Sequence, residues 1–291
     1  MNTTRTLRVE TEAGVCSIIL CRPSEYNTIT PALRDELAAA IDDADADPAV
    51  HVILLRADGP AFCAGYGLDW AIEMQLTEVG QERVWDSVMD LRMMSQFVNT
   101  YMKLWYAAKP TIAAVQGWCV GGGTDMVLCA DIIIAAEGAS FGYPPARVWG
   151  TPTTAMWVYR MGLERAKRYL LTGDEIPAVE AARIGMILET VPDEQLQKHV
   201  LDFARRMAQL PNSQLIMLKL LCNQTVENMG LASSRTLGKL FDGIARHTQE
   251  GYDFVARSKD AGFRQAVRER DDPFGDYGSG PRSQSRAKKE P

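Results

Sequence analysis

"PTIAAVQGWCVGGGTDMVLCADIIIAAE", residues 110–137, reads as a buried strand, three consecutive glycines, a short helical stretch with Asp125 in it, and a second buried strand. A glycine costs a helix or strand roughly 0.5–1 kcal/mol relative to alanine, so Gly121, Gly122 and Gly123 need a reason. The first N–H groups of a helix lack an internal acceptor and carry partial positive charge. Glycine lets a ligand come close to such a backbone because no β-carbon stands in the way. Three uses compete: a phosphate cradle, an oxyanion hole for a carbonyl oxygen that becomes negative during reaction, and close helix–strand packing. No GxxxxGK[ST] and no GxGxxG occurs at this site, which weakens the phosphate reading.

Upstream, a second glycine loop, "AFCAGYGLDW" (residues 61–70), directly follows another buried strand, "HVILLRA" (51–57). An oxyanion hole takes two donors, commonly from separate loops, and these two loops meet that need. Further out, residues 6–20 alternate and turn at Ala13-Gly14, which predicts a β-hairpin. Thr30 and Pro31 form an N-cap and first-turn pair for a helix carrying Leu33, Leu37, Ile41 and Ala44. Helical patterns cover 82–107, 154–171, 178–185, 193–209, 212–228 and 231–270. Strands thus alternate with helices to about residue 191 and helices alone follow, with no repeat of fixed period in view. The expected organisation is an α/β core over 1–195, a helical region over 196–274 and a polar, disordered tail over 275–291.

Composition narrows the function classes. With 291 residues, 46% of them hydrophobic, the chain can bury a large core, and its net charge of -6 argues against a nucleic-acid or anionic-membrane partner. The polar start "MNTTRTLRVE" has no apolar stretch of the signal-peptide kind, and the apolar runs are too short to span a bilayer, so a cytoplasmic protein is expected. The six cysteines lack CxxC spacing and lie mostly in apolar runs, as buried reduced thiols do. The three histidines, His51, His199 and His247, stand apart from the glycine motifs, so neither a metal site nor a histidine-based triad is expected.

Several stretches together resemble the crotonase superfamily, the enoyl-CoA hydratase/isomerase family: "RPSEYNTITPALRDEL", "AFCAGYGLDW", "KPTIAAVQGWCVGGGTDMVLCADIIIAAEGASFGYP", "LLTGDEIPAVEAARIGMI" and "AGFRQAVRERDDPF", in that order over roughly residues 5–274. The resemblance implies a spiral of ββα units with a helical C-terminal region that forms a homotrimer or a dimer of trimers. It implies an acyl-CoA thioester as substrate and no separate cofactor. By position, the oxyanion donors would be the backbone N–H groups of Tyr66 and Gly122, with Asp125 as the proton-transfer group. Cys63, Ala64, Gly65 and Leu68 would lie along adenine and pantetheine; from the residues themselves, Tyr66 and Tyr143 are candidates to present hydroxyls to the acyl group. Arg22, Arg268 and Arg270 are candidates for the CoA phosphates.

One departure bears on the reaction. Hydratases of this family hold a water between two glutamates; here Asp125 stands at the first position and Pro145, in "FGYPPA", at the second. Proline has no acid–base capacity, and the following "ARVWGTPTTAMW" contains no acid. Asp69 is a further carboxylate beside the first loop. Hydration of a 2-enoyl-CoA leads among the expectations. The others are double-bond isomerisation, thioester hydrolysis, and an acyl-CoA-binding protein with little catalysis.

Overall fold

The computed structural model describes residues 5–67 and 85–277. Leu68, Asp69 and residues 278–291 of the tail lie outside the described residues.

The expected hairpin forms. β1 (Leu7–Glu12) pairs antiparallel with β2 (Val15–Leu20) across a two-residue turn. Ala13 and Gly14 both have positive φ, 50° and 78°, the geometry that lets a tight turn follow the right-handed twist of its strands. α1 (Pro31–Ala46) starts as read: the Thr30 hydroxyl accepts from Leu33 N at 3.2 Å, and Pro31 sits where its missing N–H costs nothing.

Three strand pairs then repeat one theme. β3 (Val52–Ala57), β5 (Thr111–Val115) and β7 (Ile132–Ala136) join a six-stranded sheet in the order β1-β2-β3-β5-β7-β10, parallel after the hairpin. Each is followed by a short strand that turns off into a second sheet of order β4-β6-β8-β9: β4 (Ala61–Cys63), β6 (Trp118–Val120) and β8 (Ser140–Gly142). The helices that complete the units are α2 (Ser87–Tyr106), α3 (Gly122–Val127), and the pair α4 (Met156–Met161) and α5 (Leu163–Leu170). β9 (Ile176–Pro177), α6 (Ala178–Arg183) and β10 (Glu189–Val191) close the sheets. Every residue of β5 is buried, as a strand covered on both faces must be. The loops after β4 and β6 leave neighbouring parallel strands at the same end, and that is what brings them together.

Helices follow: α7 (Leu196–Met207), α8 (Asn212–Asn228), α9 (Leu231–Arg246), α10 (Gln249–Ala261) and α11 (Phe263–Asp271). The continuous helix read over 231–270 is three helices. It breaks where the Thr248 hydroxyl caps α10 and where Gly262, at φ 84°, forces a turn. Of the tail read from residue 275, Asp276 and Tyr277 are buried rather than disordered. Among the described residues no helix is long and apolar enough to cross a membrane.

Candidate active site

The first glycine loop is held by strand-like bonds. Ile29 N donates to Gly65 O and Gly67 N donates to Ile29 O, both at 2.8 Å, while Ala64 N donates to Tyr26 O at 3.0 Å. In such a parallel bridge the middle residue, Tyr66, turns its own N–H away from Ile29. Gly65 has φ +88°, and a β-carbon on it would lie 3.6 Å from Gly122 N.

Each glycine of the second loop has a different reason. Gly121 takes φ 57° and ψ -125°, a region closed to other residues, and its N–H donates to Gly142 O at 2.9 Å. A β-carbon at Gly122 would sit 2.7 Å from Tyr66 Cε2 and 2.9 Å from Ile29 Cδ1. One at Gly123 would sit 2.5 Å from the Cys63 carbonyl oxygen. The run lets two loops meet backbone to backbone. As the first residue of α3, Gly122 has an N–H with no intrahelical acceptor.

These loops form part of the wall of a cavity of about 500 Å³. Tyr66, Gly122, Ala64, Gly65, Tyr143 and Arg270, all named from the sequence, line it, and Pro145 stands beside Gly121. Much of the remainder is apolar or aromatic, including Met93, Phe97, Trp149 and Phe263. Tyr143 is anchored by its hydroxyl, which donates to Thr151 O at 2.7 Å. The Tyr66 hydroxyl accepts from Tyr101 at 3.0 Å, and burial pushes both phenols well above their ordinary range.

Four of the expected site residues do not line the cavity. Cys63 is buried beneath the loop, and burial pushes its thiol up to about 12, so it is neither exposed to a ligand nor a ready nucleophile. Arg22 is committed to Glu25 at 2.6 Å and to the Thr28 carbonyl. Asp125 points to the far side of α3. Its Oδ2 accepts from Thr153 N (2.6 Å) and the Thr153 hydroxyl (2.8 Å), and its Oδ1 accepts from Trp157 Nε1 (2.8 Å). A carboxylate so occupied ties the 151–157 segment to α3, and its oxygens are turned from the cavity. Arg268 is exposed.

Burial raises the Asp125 carboxyl to about 6 against these three donors, from its ordinary value of 3.8. Between these values the folded protein binds a proton that the unfolded chain does not. Asp125 therefore contributes stability below pH 3.8 that is lost as pH rises through about 6. Urea midpoints at pH 4 and pH 6.5 should fall further in the wild type than in Asp125→Asn; parallel behaviour would remove this assignment.

The C-terminal helices bring two ion-pair groups to the cavity that motif reading passed over. Asp242 and Arg246, one turn apart on α9, both line it. Arg246 Nε donates to Asp242 Oδ2 at 3.1 Å, and its Nη2 lies 2.8 Å from both oxygens of Asp90 on α2. Thr151 N donates to Asp242 Oδ1 at a long 3.3 Å. Burial pushes the Asp242 carboxyl up, Arg246 opposes, and Asp90 adds to the rise. α9 can come this close because two glycines break its surface. A β-carbon at Gly238 would lie 2.7 Å from Pro152 O, and one at Gly243 would strike Asp90. The visible signal was Gly238, Asp242 and Arg246 at four-residue spacing, a polar stripe inside an otherwise good helix.

The enoyl-CoA hydratase/isomerase family model matches residues 10–265 of this chain. The chain belongs to that family. An enoyl-CoA hydratase from Mycobacterium smegmatis has the same crotonase fold, with a TM-score of 0.90 and 42% identity over 96% of this chain and 97% of that one. A probable enoyl-CoA hydratase from Rhizobium meliloti is 32% identical over 87% of this chain and 96% of its own length. A hydroxycinnamoyl-CoA hydratase-lyase from Pseudomonas fluorescens is 31% identical over 70% of this chain and 72% of its own. Membership in the enoyl-CoA hydratase/isomerase family supports an enoyl-CoA hydratase-like function for this enzyme.

Proposed function

We propose that this enzyme adds water to, or eliminates it from, a 2-enoyl-CoA, with the thioester oxygen held by the N–H groups of Tyr66 and Gly122. The observation that carries this reading is the contact between the two loops, so close that a β-carbon at Gly122 would meet the Tyr66 ring at 2.7 Å, on the wall of a 500 Å³ cavity. Two convergent backbone donors suit an oxygen that gains charge in the transition state. Ala64 and Gly65 lead from this point along the cavity wall, in keeping with a backbone-lined path for the pantetheine, and Arg270 supplies a cation on the same wall.

The wall favours a bulky or aromatic acyl group over a short one. Tyr66, Phe97, Tyr143, Trp149 and Phe263 line it, and one relative's name specifies a hydroxycinnamoyl thioester. The experiment is incubation with crotonyl-CoA, cinnamoyl-CoA, a 3-enoyl-CoA and a saturated acyl-CoA, with products separated by chromatography. We expect 3-hydroxyacyl-CoA from the 2-enoyl thioesters, and more from cinnamoyl-CoA. Double-bond migration alone would favour isomerisation, free CoA would favour hydrolysis, and binding without any product would favour a binding protein.

A trimer, or a dimer of trimers, is part of the same reading. Leu218 and Leu221 on α8 and Leu237 and Phe241 on α9 are exposed, more apolar surface than a helical layer leaves in water without a partner. A monomer by light scattering would oppose it.

A further inference from the structure

We propose that Asp242 is the catalytic acid–base of this site, a carboxylate brought in from α9 to serve where the family's second glutamate is replaced by Pro145. The inference rests on the hydratase reading above and names the proton-transfer group within it.

Two carboxylates line the described cavity, Asp242 and Asp271. Asp271 is committed to two cations: its Oδ1 accepts from Arg147 at 3.0 Å and Arg270 at 2.9 Å, and its Oδ2 accepts from Arg270 at 2.7 Å. Asp242 is held more loosely. It shares one guanidinium with Asp90, which has the shorter contacts, and among the described residues its Oδ1 accepts the 3.3 Å bond from Thr151 N and no other. Among the described residues two buried anions, Asp242 and Asp90, share the Arg246 cation, and a proton on one of them lowers the repulsion between the two. Asp242 is the one of the two that lines the cavity.

Its position suits the role. A β-carbon placed on Gly150 would lie 3.1 Å from Pro145 Cβ, 3.3 Å from Asp242 Oδ1 and 3.7 Å from the Tyr143 hydroxyl oxygen. Asp242 therefore reaches the same small region as Pro145, and Pro145 in turn touches the oxyanion loop: a β-carbon on Gly121 would lie 3.7 Å from Pro145 Cγ. Asp125, the other candidate, has its oxygens bonded to Thr153 and Trp157 instead.

The step balances with one carboxylate. Asp242 takes a proton from water as the water oxygen bonds to C3 of the enoyl group. The C2=C3 pair moves through C1 onto the thioester oxygen, where Tyr66 N–H and Gly122 N–H receive the charge. The protonated Asp242 then returns the proton to C2 as the thioester carbonyl re-forms. One H and one OH have been added and the carboxylate is regenerated.

The test compares wild type, Asp242→Asn and Asp242→Glu on the 2-enoyl-CoA that the wild type turns over fastest. Asp242→Asn should lose about 10²–10⁴-fold in kcat, the usual worth of general acid–base catalysis. Its affinity for a saturated acyl-CoA should hold within a few-fold. Its melting temperature should stay or rise, because Asn leaves the Arg246–Asp90 pair in place and removes the repulsion between the two anions. Asp242→Glu should recover part of the turnover. The proposal is overturned if Asp242→Asn keeps wild-type kcat, if its kcat and melting temperature fall together, or if it does not fold, since the last two make Asp242 structural. A wild type that hydrates no 2-enoyl-CoA sinks the function proposed above; an active wild type with an equally active Asp242→Asn sinks only the assignment of Asp242.

Discussion

Gly122→Ala should cut turnover by about 10²–10³-fold, the typical cost of losing one oxyanion donor, in a protein that still folds. The new β-carbon would lie 2.7 Å from Tyr66 Cε2 and 2.9 Å from Ile29 Cδ1. Both are ends of side chains, so the ring and the isoleucine can shift, but in shifting they pull the two donor loops apart. A separation of a few tenths of an ångström is enough to spoil donors that must meet one oxygen atom. Gly123→Ala is the control with the opposite signature. Its β-carbon would face the Cys63 carbonyl oxygen at 2.5 Å, a backbone atom that cannot rotate away. It should cost about 1–3 kcal/mol of stability, as overpacking does, and lower the urea midpoint. Steady-state kinetics on the preferred 2-enoyl-CoA and urea titration of both variants check the pair. A Gly122→Ala enzyme with wild-type kcat would mean that the oxyanion lies elsewhere.

The second large effect is expected at Arg147, and it is structural. The Arg147 side chain is 3% exposed and reaches three elements at once. Nη1 donates to Asp271 at 3.0 Å, Nη2 to Asp276 at 2.9 Å and Nε to Thr172 O at 3.0 Å, with the guanidinium 3.9 Å from the centre of the Phe274 ring. This fastens residues 271–277 to the core, and with them α11, which supplies Phe263, Val267 and Arg270 to the cavity wall. Arg147→Met leaves Asp271 and Asp276 buried with one guanidinium fewer. Removing one partner of a buried ion pair typically costs about 3–5 kcal/mol. We expect a loss of that size in urea unfolding and earlier proteolysis near residue 271. Adding Asp276→Asn should recover part of the loss, because it removes one stranded charge. A change below about 1 kcal/mol, the scale of an exposed pair, would show that the clamp is not what holds this segment.

Much of this was legible because the signals were local. A two-residue turn with Ala13 and Gly14, a threonine–proline helix start at residues 30 and 31, and apolar runs of five or six residues each report what the nearest neighbours need. The two glycine loops were legible for the same reason, since glycine is favoured by the positive φ of Gly65 and by the φ/ψ pair of Gly121, and the approach seen at Gly122 and Gly123 leaves no room for a β-carbon. The ββα repeat was legible through the family resemblance, not as a period in the sequence. The segments between successive strand pairs differ in length and content, from a twenty-residue α2 to a six-residue α3, so no fixed period appears. What repeats is the switch of each second strand into the other sheet, which is a matter of pairing partners.

The two carboxylates Asp125 and Asp242 show where sequence stops and tertiary structure begins. The sequence by itself determined the family, the two glycine loops and the lack of an acid at Pro145, because these are properties of residues or of short runs. It placed Asp125 two residues after the glycines, but not the direction in which its side chain points. A six-residue helix can present a carboxylate to the cavity or to the far side, and the donors that decide, Thr153 and Trp157, are 28 and 32 residues away. Asp242 is 97 positions beyond Pro145 in the chain, yet both reach the region around Gly150. That meeting depends on α9 lying close against the 150–154 loop at Gly238 and against Asp90 at Gly243. Side-chain direction and long-range approach are settled by packing, and packing exists only once the chain has folded.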